Sequence, residues 1–408
     1  MADNQPASNE LRAVVILSLG FGLVGIDRFL ISTMFPAIAR DLSLDYGDIG
    51  TIAGVLAFAW GVAALVMGNA ADRIGRRKVL VGSLIVFSLL IGASGLAAGL
   101  LGLIAVRVVM GFADGAFTPA SISATIACSA PDRHGRNIGI QQMSLALFGL
   151  GLAPLLVAYL IEFINWRWIF LVFTLPGLVV AWATWRWIPD STADDGSHLH
   201  HHVYGHGTFA NWRQLLGYRN IKLLMVLMLC WLTCLITTSA FMPSYLIDHL
   251  GLSEPQMGGV MSAIGFGSAA GALILSWLSD KVGRKPVMVL CTLGAFAALW
   301  NLSLLSAGVT GLFLTLFAVH FFNNAAITLT VGPICAETVP VSLMATASGM
   351  VIAVGELLGG GLAPMAAGQF ADRFGIAHIL WLPLGAIALG FVLSLFLIET
   401  HPRKKEMA

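Results

Sequence analysis

Charge is what this sequence has least of. Asp, Glu, Lys and Arg together make up 11% of its 408 residues, where a soluble globular domain carries about 25%. With hydrophobic residues at 58% and 45 glycines, the composition excludes a soluble domain and points to a polytopic membrane protein. The formal net charge of +1 excludes the dense basic surface on which nucleic-acid binding rests. Cysteine is scarce as well: Cys128, Cys230, Cys234, Cys291 and Cys335 all lie in or at the ends of apolar runs. Two thiols on one helix face, as at Cys230 and Cys234, make a poor metal site, so reduced buried side chains are expected. A cleavable leader is not expected either, because the first apolar run is long enough to remain as a helix. Finally, no nucleophile stands beside a base, and no set of metal ligands marks a membrane face. The sequence therefore gives no enzyme reading, no catalytic residue and no metal site.

What is present is a series of apolar runs, each near the ~20 residues that a membrane helix needs. They fall at 12–38, 49–70, 78–98, 100–127, 138–162, 167–188, 221–247, 256–280, 287–308, 311–335, 345–370 and 377–398. That is six plus six, so the fold class is an all-α polytopic protein of two six-helix bundles. The expected division is an N-terminal tail (1–11), a first bundle (12–188), a linker (189–220), a second bundle (221–398) and a C-terminal tail (399–408). The linker is polar and carries His198, His200, His201, His202 and His206, with no cysteine or ordered frame to make a metal site of them.

A basic punctuation organises the two halves. Gly68-Asn69-Ala70-Ala71-Asp72-Arg73-Ile74-Gly75-Arg76-Arg77-Lys78 lies between two apolar runs. The pattern returns as Ser276-Trp277-Leu278-Ser279-Asp280-Lys281-Val282-Gly283-Arg284-Lys285, with Asp72 and Asp280 208 positions apart. So long a period means two homologous halves, as in many transporters, and not a solenoid. Gly68, Asp72, Arg73, Gly75, Arg76, Asp280, Gly283 and Arg284 form the expected gating loops. Glycine permits the tight turn, and the Asp can cap a neighbouring helix or pair with an arginine. The basic clusters at 73–78, 133–136, 213–222, 281–285 and 403–405 all fall on one side, and only Arg40, Arg167 and Arg373 fall on the other. The positive-inside rule then puts both termini in the cytoplasm.

Five charges remain inside the spans: Asp27 and Arg28 in helix 1, Arg107 and Asp114 in helix 4, and Glu356 in helix 11. Each costs at least about 2.5 kcal/mol on insertion scales, so each needs a purpose. A desolvated acid favours its protonated form and a nearby arginine opposes this, so an acid whose arginine can be drawn off by an anion couples a proton to a solute. Asp27, Asp114 and Glu356 are the candidate proton sites, and Arg28 and Arg107 the candidate anion-binding forks. Glu356 alternatively reads as a hydrogen-bonding acid held by Asn323, Asn324 and Thr328. Gln142, Asn323 and Asn324 join the candidate substrate contacts. Gln141, Ser144, Thr237, Thr238, Asn301 and His320 are weaker candidates, since lone polar residues in bundles mostly bond between helices.

These stretches resemble a known family. The loop at 68–78, its repeat at 276–285, and Arg107-Val108-Val109-Met110-Gly111 are similar to the signatures of the major facilitator superfamily. Asp27-Arg28, Phe58-Ala59-Trp60-Gly61, Arg107 with Asp114-Gly115-Ala116-Phe117-Thr118-Pro119-Ala120, and Ala347-Ser348-Gly349 with Gly359-Gly360 resemble the anion:cation symporters within it. That resemblance implies proton-coupled import of a small organic anion, such as a sugar acid or another carboxylate, by alternating access. The implied carrier is a monomer in the bacterial inner membrane, with the proton as coupling ion and no other cofactor. Departures are the shorter Asp114 where the family has Glu, Glu356 where it often has Asn, and missing tyrosines near Gly25 and Val62. An aromatic-acid symporter and a drug:proton antiporter are the alternatives. The second is weakened by the degraded element Ala153-Pro154-Leu155-Leu156-Val157-Ala158 and by arginines in the cavity.

Overall fold

A computed structural model describes residues 7–130, 133–189, 209–304, 308–340 and 343–400, with the side chains of 7–8, 64–74, 134–135, 209–211 and 345 excepted. Among these residues, twelve helices are long and apolar enough to cross a membrane. The first half holds α1 (Ala7–Leu42), α2 (Tyr46–Ile74), α3 (Arg76–Ser94) and α4 (Leu100–Ala127). Next comes α5, which runs through His134–Ala146, a π-helical stretch Leu147–Leu152 and Ala153–Leu160, and then α6 (Trp166–Trp187). A short helix, Phe209–Leu215, ends the linker, whose preceding histidines lie outside the described residues.

The second half repeats the plan. It holds α7 (Arg219–Ser244), α8 (Glu254–Val282), α9 (Arg284–Leu304), α10 (Val309–Leu329) and α12 (Trp381–Ser394). Its α11 runs through Met344–Val354, a π-helical stretch Gly355–Leu362 and Ala363–Phe374. The π stretches of α5 and α11 begin at 147 and 355, again 208 apart. Such wide turns recur at functional sites.

Each half has its own core. Phe87 and Phe117 meet edge to face at 6.0 Å in the first. In the second, the fully buried Trp231 donates from Nε1 to Thr330 Oγ1 at 3.1 Å. The halves touch where glycine lets backbones approach. Gly50 and Gly54 of α2 lie on Pro364 and Gly361 of α11, and Gly258 and Gly265 of α8 lie on Pro154 and Gly151 of α5. All these contacts belong to the stretch of each helix nearest the α1–α2 turn. The lobes are therefore sealed at that end.

Three side-chain links reinforce the seal. Arg40 Nη2 meets Glu254 Oε1 at 2.6 Å, and the Tyr46 hydroxyl donates to Asp248 Oδ2 at 3.1 Å. The Asp372 carboxylate of α11 accepts from the main-chain N–H groups of Tyr46 and Gly47 at the start of α2.

Candidate functional site

Adjacent residues on a helix point about 100° apart, and α1 uses this to serve two sites at once. Asp27 turns into its own lobe and Arg28 turns across the gap. Arg107 of α4 donates from Nη1 to the Asp27 carbonyl at 2.8 Å, and the same nitrogen lies 3.6 Å from Asp27 Oδ1. Both side chains are 1% exposed. Asp114, seven residues on from Arg107 and nearly two turns away, buries its carboxyl in the same cluster as Arg107 and Asp27. Among the described residues, both carboxyls and Arg107 Nε and Nη2 lack a hydrogen-bond partner. One guanidinium thus serves a cluster with two buried acids, with donors to spare.

Arg28 makes the link between lobes. Its Nη2 and Nη1 donate to Glu356 Oε2 and Oε1 at 2.7 and 3.3 Å. The guanidinium lies 4.6 Å from the Trp60 ring centroid and 5.7 Å from that of Phe29. Cations over indole faces are attracted by the ring quadrupole, the more so when desolvated. Gly360, one turn beyond Glu356, leaves room for the carboxylate to fold back, since a Cβ there would lie 2.7 Å from Oε2. A small cavity beside this pair is lined by both arginines, by Ser32, Ile52 and Leu56, and by Ile236, Ser239 and Ala240 of the other lobe.

The sequence candidates divide. Asp27, Arg28, Arg107, Asp114 and Glu356 gather at the centre, in two linked clusters. Glu356 is held by Arg28 and not by the helix-10 amides expected for it. Asn323 Nδ2 donates to the Trp231 carbonyl and Asn324 Nδ2 to the Ser268 carbonyl, so both amides tie α10 to its neighbours α7 and α8. Thr328 bonds to the carbonyl of Asn324 in its own helix. Of the two glutamines, Gln142 is exposed, and the buried Gln141 donates to Ser121 Oγ of α4. A one-residue error of facing separates the two. His320 bonds through Nε2 to Thr238 Oγ1 at 3.0 Å, another tie between α10 and α7.

Of the gating loops, the side chains of Gly68, Asp72 and Arg73 lie outside the described residues. Gly75 and Gly283 hold φ of 106° and 113°, the left-handed geometry that glycine alone adopts freely. Arg284 closes a network inside its own lobe. It donates to Asp280 Oδ1 at 2.5 Å, to Ser279 Oγ at 2.7 Å and to Glu337 Oε1 at 2.8 Å, while Glu399 caps its main-chain N–H at 2.9 Å.

Asp372 and Trp60 escaped notice as site residues. For Asp372 a signal was available: Gly368-Gln369-Phe370-Ala371-Asp372-Arg373-Phe374-Gly375 repeats the Gly-x-x-Ala-Asp-Arg-x-Gly spacing of residues 68–75. Its last glycine also has positive φ, 85°. Trp60 lay within the stretch Phe58-Ala59-Trp60-Gly61 singled out by resemblance, but nothing in a sequence says which cation will lie on an indole.

Comparison with known proteins agrees with this architecture. The Major Facilitator Superfamily pattern matches residues 17–267 and, in a second overlapping stretch, 237–407. The chain is 27% identical over 379 residues to the 3-(3-hydroxy-phenyl)propionate transporter of Escherichia coli, covering 90% of each chain. It is 25% identical to a sialic acid transporter of the same organism, covering 89% of this chain and 88% of that one. A hexuronate transporter of Bacillus subtilis is 24% identical over 69% of this chain and 68% of its own. In fold it matches a bacterial homologue of the human lysosomal transporter Spinster, in an inward-facing and unoccupied conformation, with a TM-score of 0.78 and 19% identity. That match covers 96% of this chain and 98% of the other.

Proposed function

The chain belongs to the major facilitator superfamily, a transporter family and not an enzyme family, and from that premise we propose that it imports a small organic anion together with protons. The reading rests on one observation. A single buried guanidinium, Arg107, shares its cluster with two buried carboxyls, Asp27 and Asp114, and keeps Nε and Nη2 free of partners among the described residues. Two carboxylates buried in one cluster repel unless one carries a proton. An anion that takes up the spare donors of Arg107 weakens its hold on Asp27, and the acid pair then favours a further proton. Solute and proton enter the same low-dielectric centre as a neutral set, which lowers the cost of closing the lobes over them.

The basic loops support an orientation with both termini in the cytoplasm. On that orientation the sealed end faces outward, as expected of the inward-facing half of an alternating-access cycle. The relatives named for sialic acid, hexuronate and hydroxyphenylpropionate all have carboxylates as their cargo, which supports the anion reading. A second reading, an aromatic acid as the cargo, is favoured by the indole of Trp60 under Arg28.

The test is uptake in proteoliposomes under an inward proton gradient. Wild type should accumulate a labelled organic acid and collapse of the gradient should stop it. Uptake unaffected by the gradient would refute the coupling.

A further inference from the structure

We propose that Glu356 is a tethered stand-in for the substrate's carboxylate, seated on Arg28, and that the substrate binds by displacing it. This deepens the organic-anion reading and rests on it. Both terminal nitrogens of Arg28 are engaged by the two oxygens of one carboxylate, at 2.7 and 3.3 Å. That bidentate fork is how an arginine holds a free carboxylate ligand. The seat is already desolvated and stacked, with Arg28 9% exposed and its guanidinium on Trp60. The occupant, however, comes from 328 positions away on the opposite lobe. One guanidinium fork cannot hold two carboxylates in this way, so an arriving acid exchanges like for like.

The walls beside the seat restrict what the acid carries. Ile52, Leu56, Ile236 and Ala240 line the small cavity next to Arg28, where the hydroxyls of Ser32 and Ser239 are the neutral polar side-chain groups, and Ser239 Oγ already donates to the Leu235 carbonyl. Hydroxyls buried against aliphatic walls without partners are costly. A polyhydroxy acid is therefore disfavoured, and a monocarboxylate with a flat apolar body and at most a hydroxyl or two is selected. Displacement also has a mechanical result. The Arg28–Glu356 pair ties the lobes together at their middle, so the substrate that replaces Glu356 releases that tie.

The experiment is calorimetric binding to purified full-length protein, with 3-phenylpropionate, its neutral analogue 3-phenylpropionamide, and gluconate as probes. Glu356→Gln keeps the shape and removes the competing charge. The variant should bind 3-phenylpropionate about tenfold more tightly than wild type, with binding of the amide unchanged. Should Glu356→Gln fail to yield folded protein, Glu356→Asp, too short to span the pair, should show the same gain in smaller measure. Unchanged or weaker binding of the acid by the variant, with wild-type binding intact, overturns the stand-in role alone. A gain for gluconate as large as that for 3-phenylpropionate overturns the substrate class. Binding of neither acid by wild type or variant overturns the anion reading and this inference with it.

Discussion

The Asp372 carboxylate accepts the Gly47 main-chain N–H at 2.8 Å, so a side chain from one lobe caps a helix of the other. Its second oxygen takes the N–H of Tyr46 at 2.9 Å. The first N–H groups of a helix have no partner within it, and they carry the positive end of its dipole. The cap therefore exists only while the lobes are closed at this end.

Asp372→Ala should shift the carrier away from the sealed state. Loss of a capping side chain costs about 1 kcal/mol, roughly a fivefold change in population. Spin labels at Glu162 and Ala377, exposed near that end, should report a larger long-distance fraction by double electron–electron resonance. An unaltered distance distribution would show that the glycine contacts alone hold the seal.

Arg107→Ala should abolish concentrative uptake with membrane insertion intact. Removing one partner of a buried charged cluster costs on the order of 3–5 kcal/mol, so the melting temperature should fall too. Arg107→Lys keeps the charge and loses the fork, and should restore stability better than it restores transport. Equal recovery of both would mean that Arg107 is only a structural counter-ion.

Asp27→Asn should separate proton from solute. The amide cannot titrate, so accumulation driven by a pH gradient should be lost while exchange of labelled for unlabelled acid continues. Continued gradient-driven accumulation would exclude Asp27 as the coupling acid.

Gly54→Val should block the seal at the α1–α2 end without unfolding the protein. A Cβ at Gly54 would lie 2.5 Å from the Gly361 carbonyl, in an interface of backbone against backbone, yet each lobe keeps its own core. Transport should drop by more than an order of magnitude through obstruction at the seam, with the elution profile of purified protein unchanged. Near-normal turnover would mean that the seam rearranges cheaply.

Much of this was open to sequence reasoning, and what was not has physical reasons. Hydrophobic length and the 208-residue offset between Asp72 and Asp280 were enough to imply twelve helices in two halves. The membrane's dislike of charge singled out Asp27, Arg28, Arg107, Asp114 and Glu356 without any coordinates. Their pairing was not legible, because Arg28 and Glu356 meet only through the way two lobes dock. That Gln142 is exposed while Gln141 is buried, and that Asn323 and Asn324 bond to neighbouring helices, was not legible for a related reason. Packing against neighbouring helices decides which side of a helix faces inward, and apolar periodicity blurs when both faces are apolar. Asp372 could have been found by comparing the three Asp-containing loops. It was hidden by an expectation that the repeat runs only between equivalent helices.

A π turn holds one more residue than the α-helix on either side of it, and α11 contains such turns between Gly355 and Leu362. Relaxing one of them to α geometry would rotate everything beyond it by about 100°, including Asp372 at the far tip. Glu356 sits inside the same stretch, so the eight residues that seat a carboxylate on Arg28 also lead the chain to the carboxylate that latches the rim.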